Sequence, residues 1–486
     1  MRALMIRQVA RKEVREIIRD GRMRLLGVIV MILTLAALAF GAQQAVRAQE
    51  ARTSAMERSQ KQWEGQGERN PHSAAHYGTH VFAPTSVVTA IDPGVSPYLG
   101  RSVEIKAHQR SLASHSEAQD SGGSKRLGSF SVASVFLLLI PLLIIALGYG
   151  LWSRERERGT LRQVLSTGVH PSQLFWGKTL ALCCVLLILL IPAALIIVSV
   201  LWGLGGGDGE TLARLGLLAL GYGVYFGVFA GLTLFASAVA RTSRGALVAM
   251  VGLWGLFCLV TPRAATEVSG VLQPLPSQAE LGRRVAQSLK TGLDGKTDKD
   301  VFIEAKVADT LDAEGISEDA LEFFTDDAEA QRIKTYKDGL MLKFTAEWEN
   351  VIFDHYIKEL DDQVAAQESV MNGVAFLSPY VAMRTLSAAL SGTDFAHHRH
   401  FTDYAETWRQ GFVDSLNKAF ADKAGAQGWS YRAGPELWKN APAFAYQPPK
   451  PSYGLDVHRL SALALLVWLL VAFGLARWAA GRVKVV

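Results

Sequence analysis

Cysteine is nearly absent from this chain. The 486 residues include three, Cys183, Cys184 and Cys258, and all lie within apolar runs. The polar stretches have none, so no disulfide framework holds them together. No CxxC or Cys/His zinc spacing occurs either. The three thiols read as small apolar packing residues. A phosphate loop of the form GxxxxGK[ST] is missing. The nearest string, Gly122-Gly-Ser-Lys125, falls in a Gly/Ser-rich linker over 119–128. Neither sign of charge dominates: Lys and Arg number 50, Asp and Glu 45, and the net charge is +5. The basic residues are not gathered into a nucleic-acid face, so no nucleic-acid partner is expected. No Asp, Glu, Lys or Arg lies deep in the apolar runs, which argues against an ion-coupled secondary transporter. No Ser/His/Asp, Cys/His or paired-carboxylate set stands out, so no catalytic residue is assigned and the chain is not expected to be an enzyme.

What the sequence does have is apolar length. Six runs are long enough to cross a bilayer, at about 25–41, 130–152, 180–204, 215–239, 245–262 and 460–478. Each must satisfy its backbone polar groups internally, so each should be a helix. The expected fold is an all-α membrane protein with six transmembrane helices. Residues 1–24 precede the first span, 153–178 form a short loop, and 179–262 hold spans three to five. Two long polar insertions, 42–129 and 263–459, interrupt the bundle, and 479–486 form a tail. The first span is expected to be a retained anchor, because the region before it is patterned as a helix and is unlike a short basic signal region.

Basic residues orient the bundle. Residues 1–24 carry Arg2, Arg7, Arg11, Lys12, Arg15, Arg19, Arg22 and Arg24. The loop after span two carries Arg154, Arg156, Arg158 and Arg162, and the loop after span four carries Arg241 and Arg244. Arg477, Arg482 and Lys484 lie at the end of the chain. With six alternating spans these segments fall on one side. Both termini are therefore expected in the cytoplasm and both insertions outside, with the basic segments near lipid headgroups.

Two segments on that side have internal pattern. In 6–24, Ile6, Val9, Val14, Ile17 and Ile18 recur at helical period among basic residues, which predicts an amphipathic helix in the headgroup layer. In 153–178, alternating Arg and Glu lead to Gly159–Thr160, then an amphipathic turn with Leu161, Val164 and Leu165. His170-Pro-Ser172 begins a new helix running through Gly177–Lys178 into span three. Positive-inside bias explains the arginines but does not require the interleaved Glu155 and Glu157.

This order resembles the permease subunit of ABC type-2 transporters. The shared features are Lys12–Glu13 and Arg19–Asp20 on the first helix, Glu155-x-Glu157-x-Gly159-Thr160-Leu161, Gly177–Lys178, and the six-span layout. In the first insertion, Asn70 to Gly78, Asp92-Pro-Gly94 and Tyr98-Leu-Gly100 resemble a subgroup often labelled as multi-copper enzyme maturation permeases. The resemblance implies that 6–24, with Lys12, Glu13, Arg19 and Asp20, is an elbow helix. It implies that 155–170 is a coupling helix seated in a cleft of a separate ATP-binding subunit. Arg154, Glu155, Arg156, Glu157, Gly159, Thr160, Leu161 and Arg162 would then carry ATPase coupling. ATP and magnesium would belong to that partner, and this chain would hold no cofactor. A second permease subunit, identical or related, would complete the translocation unit. The expected role is export across a bacterial inner membrane. The alternative is a membrane scaffold for assembly or maturation of a periplasmic metalloprotein.

In the first insertion, residues 47–69 are expected to extend the span-one helix, followed by a turn-rich middle. His72, His76 and His80 are spaced i, i+4 and i+8 and would share one helical face, a candidate metal site. Pro71 and Gly78 oppose a continuous helix there, and His108 and His115 are further histidines of this insertion. A second histidine cluster is His397, His398 and His400. The second insertion is expected to be largely helical, with extended chain over 435–451. It would form a cap or dock a periplasmic protein.

Overall fold

The computed structural model describes residues 2–111, 113–114, 130–316 and 328–483. The linker over 119–128, His115 and Lys484 lie outside the described residues. Six helices are long and apolar enough to cross a membrane, and three short strands form the one sheet among the described residues.

Helix α1 (Arg2–Arg19) buries Ala10, Glu13 and Ile17, one face at helical spacing. Gly21 then turns the chain into α2 (Arg22–Glu64), one helix of 43 residues. At 1.5 Å per residue it measures about 65 Å, roughly twice the hydrocarbon thickness. Its apolar first half suits a span. Its charged second half carries Trp63 to the far end of the molecule and stops at Glu64, short of the expected 69. Helix α3 (Pro71–Tyr77) follows, capped by the Asn70 side chain. The strands β1 (Thr79–Phe82), β2 (Ser102–Lys106) and β3 (Gln109–Arg110) form an antiparallel sheet in that order. The turn-rich reading did not anticipate this sheet.

Helix α4 (Val132–Gly148) returns along the bundle and leads to two short helices, α5 (Ser153–Glu157) and α6 (Thr160–Ser166). Helix α7 (Pro171–Gly203) is capped by His170 at its start. Helix α8 (Gly209–Val239) packs on the last helix, where a Cβ at Gly227 would meet Leu469 at 2.8 Å and one at Gly231 would meet Ala472 at 2.9 Å. These are the small-residue steps that let apolar helices approach closely. The fifth span joins α9 (Ser243–Gly255) to α10 (Thr261–Leu272) through a π turn at Leu256–Val260, just before Pro262. Proline has no N–H to continue the α ladder.

The second insertion contains α11 (Gln278–Thr291), α12 (Lys299–Ala313), α13 (Ala328–Ala375), α14 (Pro379–Ser391) and α15 (Phe395–Lys423). Two short helices, α16 (Pro435–Lys439) and α17 (Pro451–Val457), follow, so 435–451 is not extended throughout. Helix α18 (Arg459–Gly481) is the sixth span. At the far end Trp63, Val103, Ile105, Phe412, Leu416 and Trp438 form a core that joins the two insertions. Trp63 donates its indole N–H to Trp438 O at 3.0 Å, and Trp438 donates its own to Gly67 O at 2.7 Å.

Chain direction gives the bundle two ends. One collects α1, α5, α6, the α8–α9 turn and the end of α18. The other collects both insertions and the α7–α8 turn.

Candidate functional site

At the first end, three segments distant in sequence converge on Lys178. Its ammonium is fully buried. It donates to Glu13 Oε1 at 2.6 Å and to Leu151 O at 2.7 Å, and lies 2.9 Å from Glu155 Oε2. Lys12 donates to Glu155 Oε1 at 2.7 Å and lies 3.2 Å from Glu13. Glu13 and Glu155 thus share two ammoniums, and Lys12 also lies 3.3 Å from the exposed Glu16. A buried charge is tolerated only when paired and hydrogen-bonded. Burial works against the Lys12 ammonium, but the adjacent Glu13 and Glu155 carboxylates outweigh it and raise its pKa above the ordinary lysine value.

The helices approach closely here because position 177 is glycine. A Cβ at Gly177 would lie 2.5 Å from Val9 Cγ1 and 2.6 Å from Val9 Cβ. Gly177 therefore seats α1 on the first turns of α7, and Lys178, the next residue, reaches Glu13.

A second set of contacts lies beside the first. Asp20 pairs with Arg22 and, at 3.1 Å, with Arg154. The Arg22 hydrogen bond holds the Asp20 carboxyl down to about 2. Arg22 also donates to Tyr149 Oη at 2.8 Å. Arg156 donates to the carbonyls of Ala238 and Ala240. Glu157 accepts from the Ser243 N–H at 3.1 Å and from its hydroxyl, at the start of α9. A carboxylate there complements the helix dipole. A cavity of about 250 Å³ opens between α1 and α6, lined by Lys12, Glu16, Asp20, Arg154, Arg158 and Gln163 among others.

The sequence-derived residues divide into two groups. Arg154, Glu155, Arg156 and Glu157 all point at other parts of this chain. Gly159, at φ 74°, supplies the left-handed turn from α5 to α6. Thr160 donates to Glu155 O at 3.3 Å, and Leu161 is buried. Arg162, Gln163 and Ser166 are exposed on α6, and Arg158 is exposed just before it. On α1, Lys12 and Glu13 join the cluster and Arg19 is exposed, while Asp20, in the turn after α1, pairs with the arginines. Lys178, Tyr149 and Ser243 complete the site and were not singled out as site residues. The sequence offers Lys178 only as part of the Gly177–Lys178 pair in the family resemblance, with no role attached.

At the other end the histidine reading needs correction. His72 and His76 do come together, with their Nε2 atoms 3.0 Å apart. His80 does not join them. Helix α3 stops at Tyr77, and Gly78 at φ 68° breaks the helical phase. His80 is therefore an exposed residue of β1, paired with Glu104 of β2. The third histidine is His108, whose Nε2 is 3.5 Å from that of His72. Burial, ahead of His76 and His108, pushes the His72 pKa down to about 4. His397 and His458 flank the buried Asp394, and His400 bonds Tyr446, so the second histidine cluster is dispersed among other partners. A larger cavity, about 400 Å³, lies where the insertions meet the bundle, lined in part by Gln44, Val87, Arg214, His397 and Tyr446.

A family model described as ABC-2 family transporter protein matches residues 7–483. No curated protein matches the chain.

Proposed function

This chain belongs to the ABC-2 transporter family, and we propose that it is the permease subunit of an ATP-driven exporter. Members of the family are membrane transport components that generally work with an ABC ATP-binding subunit. In our reading ATP and magnesium bind that partner, and this chain has no ATPase site of its own. Both termini face the cytoplasm of a bacterial inner membrane, and both insertions face outward. A second permease subunit, a copy or a relative, completes the translocation unit.

The observation that carries this reading is the division of labour around α5 and α6. Glu155 and Lys178 tie α1, α5 and α7 into one body, while α6 leaves Arg162, Gln163 and Ser166 exposed. A force applied to α6 would move α1 and the starts of two spans together, as rigid elements. Helix α1 is then the elbow and α6 the contact with the partner. The exposed side chains recognise the ATP-binding subunit, and the inward ones transmit its movement.

The test is gentle purification from native membranes, followed by mass spectrometry of partners and an ATPase assay, on wild type and Arg162→Glu. The reading expects an ATP-binding subunit with the wild type. It expects several-fold less of that subunit, and of ATPase activity, with Arg162→Glu at equal yield. A stable wild-type protein that brings no ATP-binding subunit would refute it.

A further inference from the structure

The far-end histidines carry an inference independent of ATP coupling. Three imidazoles, His72, His76 and His108, place one ring nitrogen each within 4.8 Å of one another. The Nε2 atoms of His76 and His108 lie 3.0 and 3.5 Å from that of His72. A tetrahedral ion with bonds of ~2.0–2.1 Å to nitrogen sets its ligands roughly 3.3 Å apart.

The outer nitrogens fix which atoms face inward. His108 Nδ1 lies 2.8 Å from Glu349 Oε2. An ionised carboxylate only accepts, so His108 donates from Nδ1 and turns Nε2 inward. His72 Nδ1 lies 2.8 Å from Asn417 Oδ1, which likewise places its proton outward. The Nε2 atoms of His72 and His108 thus face each other across 3.5 Å, with His76 Nε2 3.0 Å from that of His72. Metal-bound histidines usually donate their other N–H to a carboxylate or carbonyl in this way. Glu349 is held in turn by Lys299 at 2.9 Å. His72, Glu349 and Asn417 are buried, whereas His76 is exposed and leaves one side open to solvent.

We propose that His72, His76 and His108 form a binding site for a divalent transition-metal ion of the zinc class. Three neutral imidazoles suit such ions, whereas calcium and magnesium take oxygen ligands. A fourth position remains for water or an exogenous ligand. The site spans both insertions: α3 and the β2–β3 turn supply the histidines, and Glu349 on α13 and Asn417 on α15 orient two of them. The ion would therefore fasten α3 to the β2–β3 turn, and the outer hydrogen bonds of His72 and His108 reach the second insertion. His108 has φ 58°, an uncommon conformation for a residue with a side chain, and the turn that holds it there aims it at the other two.

The test uses the full chain in detergent, with any polyhistidine tag removed and metal stripped by chelator. Zn(II) binding is measured by titration and Co(II) by its ligand-field absorption. The proposal predicts one ion per chain and a tetrahedral Co(II) spectrum. His76→Gln, at an exposed position, and His108→Gln should each abolish that spectrum. Glu349→Gln should weaken Zn(II) binding about 10–100-fold. His80→Ala should leave both readouts within about twofold, since the substitution touches none of the three ligands. Wild-type protein that binds no stoichiometric Zn(II), or a spectrum that survives His76→Gln, would overturn the site. A spectrum lost in His80→Ala would also overturn it. Because His76 is exposed, its variant keeps the test decisive even if His108→Gln fails to fold.

Discussion

Lys178 Nζ lies 2.6 Å from Glu13 Oε1, although the two residues are 165 positions apart. The contact joins the chain's first helix to the start of its third span. With Glu155 on the other side of the ammonium, it makes one body of three segments.

Replacing Lys178 by Met should therefore be costly. It leaves Glu13 and Glu155 without their buried counter-ion, a loss of about 3–5 kcal/mol. Lys12→Met removes a cation whose side chain is 45% exposed, and should cost about 1 kcal/mol or less. Thermal unfolding of both variants in the same detergent compares them. Equal destabilisation would remove the special role given to Lys178.

Gly177→Ala should push α1 away from α7. The added Cβ would meet Val9 at 2.5 Å, well inside contact distance. Overpacking of this kind costs about 1–3 kcal/mol. Limited trypsin digestion should then cleave after Arg11 and Arg15 faster than in wild type. Trp176→Ala, at an exposed neighbour, should leave the cleavage rate unchanged.

Acid should loosen the contact between the α1–α2 turn and α5 through Asp20. Its pKa is lowered to about 2 by Arg22 and Arg154. A depressed carboxyl stabilises the fold fully above its unfolded value of ~3.9. That stabilisation is lost as pH falls from there towards about 2. The melting-temperature difference between wild type and Asp20→Asn should be constant above pH 5 and shrink below ~4. A difference that grows on acidification would contradict the assignment.

The sequence made some of this legible. Six spans could be read because apolar length is itself the physical requirement for crossing a bilayer. The α5–α6 break was legible in Gly159, and the start of α7 in His170-Pro-Ser172, since turn and cap chemistry is local. The ion cluster was not, because Lys12 and Glu155 meet across 143 positions and no spacing rule relates them. For the same reason Glu155 and Glu157 looked like a single acidic motif, while their side chains serve different partners. In the first insertion, strands of four, five and two residues are too short to show an alternating pattern. The i, i+4, i+8 reading placed His80 with His72 and His76, but a helix of seven residues ends before it reaches position 80. His108 could take that place only through the sheet, whose pairing brings the β2–β3 turn back to α3.

The central claim is that α6 is the contact with an ATP-binding subunit. It is tested most directly by a photo-crosslinking residue at position 162, with a second at Val301 on α12 as the far-end comparison. In native membranes, position 162 should give a product containing an ATP-binding subunit, and position 301 should not. No such product at 162, or the same product at 301, would contradict the account.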